Sequence, residues 1–120
     1  MVDLADSRVV RLVDMPVRHM ANGGESRDVL RGQLATGETV ALHGSMQVAG
    51  MAPNPEHPIQ HSEFILVQEG TLEFRHDGKV EQAGPGGVLY VAKGTVHAVR
   101  NIGDTAAKYM VVAIGGDVKA

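Results

Sequence analysis

The feature that most constrains this chain is its punctuation. Turn-forming pairs and clusters follow one another through the second half: Glu69-Gly70, Asp77-Gly78, Gly84-Pro85-Gly86-Gly87, Lys93-Gly94 and Gly103-Asp104. The apolar runs left between them are too short for helices and suit strands. Asp77-Gly78 is the sharpest of these signals, because a two-residue type I′ hairpin needs positive φ at both central positions. Strands are therefore predicted over 61–68, 71–76, 79–82, 88–92, 95–100 and 106–114. In the first half, 7–14, 26–34 and 38–49 read as strands, and 15–25 as a loop or irregular arm. Residues 50–58 carry three prolines, which remove donors and fix φ, so this stretch reads as a shaped loop. About nine short strands and no convincing helix predict an all-β sandwich or barrel of antiparallel strands.

Composition narrows the function classes. A chain of 120 residues supports one domain. Its 11 basic and 14 acidic residues give a net charge of -3, with no basic stripe, which argues against nucleic acid as a partner. There is no cysteine, so disulfides, thiolate metal sites and thiol nucleophiles are excluded. No Gly-x-Ser-x-Gly elbow is present, and Gly84-Pro85-Gly86-Gly87 lacks the Gly-Lys-Ser/Thr continuation of a phosphate loop. The N-terminal residues carry acids rather than the basic and apolar blocks of a signal peptide, and no apolar run reaches membrane-spanning length. The expectation is a cytoplasmic protein with no membrane partner.

The chemistry-bearing residues are histidines. His57 and His61 lie just before Glu63, and alternation along an extended strand puts positions two apart on one face. His97 sits on a later predicted strand. Imidazoles and a carboxylate brought together from two segments make a donor set for Mn, Fe, Co, Ni or Zn. Each of these residues also has an ordinary alternative: a strand histidine satisfied by hydrogen bonds, or a glutamate in an ion pair. His43 lies mid-strand without a motif behind it. Met51, Ile59, Gln60 and Tyr90 are candidate pocket-lining positions, while His76, beside the Asp77-Gly78 turn, reads as solvated and His19 as surface.

The order of these landmarks resembles the cupin superfamily. The second cupin motif reads here as Gly86-x5-Ala92-x-Gly94-x2-His97-x3-Asn101, with alanine where the family has proline. The first reads His57-x-Ile59-x3-Glu63-x6-Gly70. The resemblance implies an antiparallel double-stranded β-helix, or jelly-roll barrel, over 26–115, with an arm at 1–25 and a short tail at 116–120. It also implies a divalent metal held by His57, Glu63 and His97. The second histidine of the first motif falls on Ile59, which cannot ligate, so its duty either is lost or passes to His61. Relocation of that kind is reminiscent of ureidoglycine aminohydrolase-like cupins. The preferred ligand set is His57, His61 and His97, with Glu63 as fourth ligand or general base; the competing set is His57, Glu63 and His97. The expected function is a metal-dependent enzyme acting on a small polar metabolite inside the barrel. The alternative is a non-catalytic cupin that binds a sugar or organic acid with a degraded metal site. A homodimer is expected from the same resemblance.

Overall fold

A computed structural model describes residues 4–52 and 54–119. Nine strands form two antiparallel sheets: β1 (Arg18–His19), β2 (Glu25–Gln33), β3 (Thr39–Gln47), β4 (Ser62–Glu69), β5 (Leu72–His76), β6 (Lys79–Ala83), β7 (Val88–Val91), β8 (His97–Asn101) and β9 (Ala107–Ile114). The larger sheet runs β1-β2-β3-β9-β4-β7 and the smaller β6-β5-β8. This is the expected all-β double-stranded β-helix.

Strand alternation decides which side chains point inward. Along β9, Ala107, Tyr109, Val111 and Ala113 are buried, while Lys108 is exposed and Met110, Val112 and Ile114 are half-buried. Ala107, Tyr109 and Val111 join Ile65, Val67, Leu72, Phe74, Leu89 and Val91 in one core. Leu72 and Val91 are fully enclosed, and removing apolar side chains so placed costs about 2–5 kcal/mol each for a leucine-to-alanine change. Asp77 and Gly78 both have positive φ, 50° and 73°, as the type I′ hairpin between β5 and β6 requires.

Two sequence expectations differ from the structure. Residues 7–14 are not a strand: they carry only a short 3-10 turn, Leu12–Asp14. Apolar residues alone do not make a strand without a partner edge, and here the chain is held from outside. Arg27 donates through Nη1 to the carbonyls of Leu12, Val13 and Met15. Leu12 lies over Gly44 of β3, where a Cβ would stand 2.7 Å from its Cδ1. The predicted irregular stretch 15–25 does contain a strand, β1, paired with the start of β2. No helix is long and apolar enough to cross a membrane among the described residues.

Candidate functional site

The barrel interior opens beside residues 54–58, where Pro55 and Pro58 keep the chain from pairing as a regular strand. A single antiparallel bridge ties that loop to β8: the backbones of His57 and His97 exchange two hydrogen bonds, each 3.1 Å. Residues in such a bridge project side by side. The two imidazoles accordingly face one another with ring centroids 4.9 Å apart. Both line a cavity of about 160 Å³ together with His43, Glu63, Gln47 and Tyr109.

Each paired imidazole is oriented by a backbone carbonyl. His57 Nδ1–H donates to Pro55 O at 3.2 Å, and His97 Nδ1–H to Thr95 O at 3.0 Å. A carbonyl only accepts, so the proton resides on Nδ1 and the Nε2 lone pair is left free in both rings. That tautomer is the one metal-bound imidazoles adopt. The residues therefore fit two positions of a divalent transition ion. Among the described residues, no three His, Asp or Glu side chains are gathered closely enough to enclose one.

His61 explains part of that spread. Its Nε2 lies 2.7 Å from Glu63 Oε1 and its Nδ1 2.7 Å from Asp117 Oδ1. With both nitrogens donating to carboxylates, the ring is held as the imidazolium. Burial opposes that charge, but the two carboxylates outweigh it and raise the His61 pKa. His61 thus touches Glu63 rather than the pair at 57 and 97. Burial acts in the other direction on His43: desolvation, helped by the charges of Arg18 and Arg31, lowers its pKa against the pull of Glu63 and Asp28 and keeps it neutral.

The other sequence candidates are dispersed. Ile59 belongs to the apolar core. Gln60 is exposed. Met51 lines a separate shallow hollow with Arg100 and Ile102. Tyr90 is 55 % exposed on the outer face of β7, against Phe64 at 5.3 Å.

Sequence reading missed the polar floor of the cavity. Gln47 Nε2 donates to Tyr109 Oη at 3.0 Å and to Val99 O at 3.2 Å, and its Oε1 accepts the Asn101 backbone N–H at 2.8 Å. Burial, partly offset by hydrogen bonds from Gln47 and Ser45, raises the Tyr109 pKa and keeps the phenol neutral. The alternation of His43, Ser45 and Gln47 along β3, and of Tyr109 between Ala107 and Val111, is the signal that would have found them.

The molecule is thus a jelly roll with paired imidazoles and a carboxylate on its inner wall. The match to the cupin domain family over residues 42–113 is specific, and the chain belongs to that family. Its fold is similar to that of KdgF from Halomonas sp., with a TM-score of 0.74 at 13 % identity, covering 93 % of this chain and 97 % of the other. It is also similar to the Schizosaccharomyces pombe Cnp3 cupin domain, with a TM-score of 0.73 at 17 % identity over 89 % and 72 % of the two chains. A predicted oxalate decarboxylase from Thermotoga maritima gives 0.70 at 19 % identity over 89 % and 98 %. No curated protein matches the chain in sequence.

Proposed function

We propose that this cupin acts on a small polar metabolite in its barrel, with a divalent transition metal (Mn, Fe, Co, Ni or Zn) held through His57 and His97. The observation that carries this reading is the facing pair of imidazoles, each with Nδ1 tied to a carbonyl and Nε2 free. A third donor would come from Glu63, from His61 in the relocated arrangement reminiscent of ureidoglycine aminohydrolase-like cupins, or from His43. The bound ion would supply Lewis acidity at an open position. In this reading Glu63, drawn against His61, holds or takes a proton at the cavity wall, and neutral His43 and Tyr109 orient polar atoms of the ligand. The reaction falls among oxygenation, isomerisation, decarboxylation and hydrolysis, chemistries that fold similarity does not separate. Names of similar folds, a predicted oxalate decarboxylase among them, support a small-molecule substrate. The same reading includes a homodimer, supported by the exposed outer row of Phe64, Leu66, Val88 and Tyr90 and tested by light scattering.

The test is elemental analysis of the purified protein before and after chelation, with melting curves in each of the five metals. Retained metal, and a melting point that rises with added metal and not in the H97A variant, is the expected result. A chain that retains none of the five and melts at the same temperature with all of them overturns the metal-dependent reading.

A second reading, a binding cupin without catalysis, is favoured by two observations: Ile59 is 7 % exposed in the core, and His61 is already bound on both nitrogens. His61→Ala separates the versions of the metal site. Weaker metal binding identifies His61 as a ligand; tighter binding identifies Glu63, released from His61, as the third donor, and unchanged binding points to His43.

A further inference from the structure

The inner wall has a cation that none of the groups discussed above accounts for. Arg31 of β2 stands opposite Ala41 of β3, Ala41 opposite Ala113 of β9, and Ala113 opposite Glu63 of β4. Directly opposed residues share a face of a sheet. Ala41 also shares its face with His43 two positions on, which lines the cavity. One transverse row therefore runs Arg31, Ala41, Ala113, Glu63 across the inner surface. The two alanines keep that row low between a guanidinium at one end and a carboxylate at the other. Three strand spacings of about 4.8 Å separate the ends.

One nitrogen of the guanidinium is unsatisfied. Arg31 Nε is buried without a hydrogen-bond partner, and among the described residues Arg31 makes no ion pair. Arg18, on the adjoining strand, differs: it reaches Ser26 Oγ at 3.2 Å and Asp28 Oδ1 at 3.4 Å, whereas Arg100, whose Nε is likewise buried without a hydrogen bond, has Glu73 at 3.4 Å. A buried donor left unpaired is costly, and more so when the group is charged. Arg31 is also among the charges felt by His43, which places it within electrostatic reach of the cavity.

We propose that Arg31 is the anion-recognising residue of the barrel and that the ligand carries a carboxylate. The Nε–Nη edge of a guanidinium matches the two oxygens of a carboxylate, and such bidentate pairs are short and charge-assisted. Arg31, Ala41 and Ala113 do not line the cavity of about 160 Å³ themselves but continue its sheet face outward from Glu63, so an acid held at Arg31 lies beside that space. With its carboxylate on Arg31, the remainder of the molecule extends over Ala41 and Ala113 toward Glu63 and the imidazoles. This deepens the small-molecule reading above and rests on it, but does not depend on which residues complete a metal site.

The test uses four probes, lactate and malonate against lactamide and malonamide, titrated calorimetrically into the full chain with chelator and again with one equivalent of Zn²⁺. At least one acid should bind, its amide about ten-fold or more weaker, and Arg31→Gln should weaken the acid by a similar factor while leaving the amide and Zn²⁺ affinities unchanged. Ala41→Leu, which keeps the arginine but fills the low row, should also weaken the acid, and a circular-dichroism melt of each variant reports its folding. Acids and amides binding alike, acid binding equal in Arg31→Gln and wild type, or no acid binding in either metal state would each overturn the proposal. Because Zn²⁺ affinity is read separately, loss of metal binding with acid binding intact would sink the metal site and leave this inference standing.

Discussion

His57 and His97 are coupled through their backbones: two 3.1 Å hydrogen bonds fix the residues opposite one another, and the 4.9 Å separation of their rings follows. Two donors serving one ion should not lose its affinity independently. His57→Ala and His97→Ala are each expected to weaken Zn²⁺ binding by more than the 10–100-fold typical of losing an outer-shell partner. The double variant should lose much less than the product of the two losses. Isothermal titration of the three variants measures this, and fully multiplicative losses would mean the rings do not share an ion.

Two glycines of the cupin motifs, Gly70 at the end of the first and Gly94 within the second, are required for different physical reasons, and this separates their substitutions. Gly70 has φ +82°, and a Cβ there would stand 2.8 Å from Ala107 Cα, 2.9 Å from its Cβ and 3.0 Å from Ala106 O. Gly94 has φ +87°, yet a Cβ would meet nothing within 4 Å. Gly94→Ala should cost only the left-handed penalty of about 1–2 kcal/mol. Gly70→Ala adds a collision with backbone that cannot rotate away, and should cost at least about 1–3 kcal/mol more. Urea melts of the two variants check the order; equal losses would remove the packing explanation.

These glycines show why the fold was legible. A turn that needs positive φ leaves glycine in the sequence, and alternation between such turns predicts most strands to within a residue or two. The arm at 7–14 was misjudged because Val9, Val10, Leu12 and Val13 look like a strand, while the features that hold the segment lie elsewhere: the absent side chain of Gly44 and the donors of Arg27. In the site, His57 and His97 were legible through spacing. The direction of His61 was not, since it depends on Asp117 in the C-terminal segment, remote in sequence. Gln47, Tyr109 and Arg31 were passed over because no motif marks them; only their register on adjoining strands gives them a common wall.

A third expectation concerns pH. His76 donates to Asp77 at 2.8 Å and to Glu81 at 2.5 Å while its ring stacks on Phe74 at 4.3 Å. The carboxylates, Asp77 first, raise its pKa above 6.5. A group with a raised folded pKa contributes stability that is complete below the unfolded value and lost as pH climbs through the folded one. The stability difference between wild type and His76→Gln should thus be larger at pH 5.5 than at pH 8.5. Because His61 shifts in the same sense and His43 in the opposite one, the difference between the two proteins is the informative quantity. Denaturant titrations at both values measure it, and a gap that is constant or widens with pH contradicts the assignment.

Asn101, the last residue of the second motif, is buried and bonded on both polar atoms of its side chain and on its backbone N–H. Its Nδ2 donates to Gln47 O at 3.1 Å and Thr105 O at 2.8 Å, and its Oδ1 accepts from Gly103 N at 2.9 Å. Its backbone N–H holds Gln47 Oε1, which fixes the amide so that Nε2 faces Tyr109. The side chain therefore joins the two sheets and sets the cavity floor in one stroke. Asn101→Asp keeps the shape but replaces two donors with an acceptor facing two carbonyls, and a carboxylate cannot satisfy them. That variant should be less stable than wild type by about 2–5 kcal/mol at neutral pH. Part of the loss should return at acid pH, where the protonated carboxyl regains one donor. Asn101→Ala should show no such recovery, since it carries no titrating group. Melting curves of both variants between pH 4.5 and 7.5 test this, and parallel pH profiles would mean that the contacts of Asn101 with Gln47 and Thr105 do not hold the sheets together.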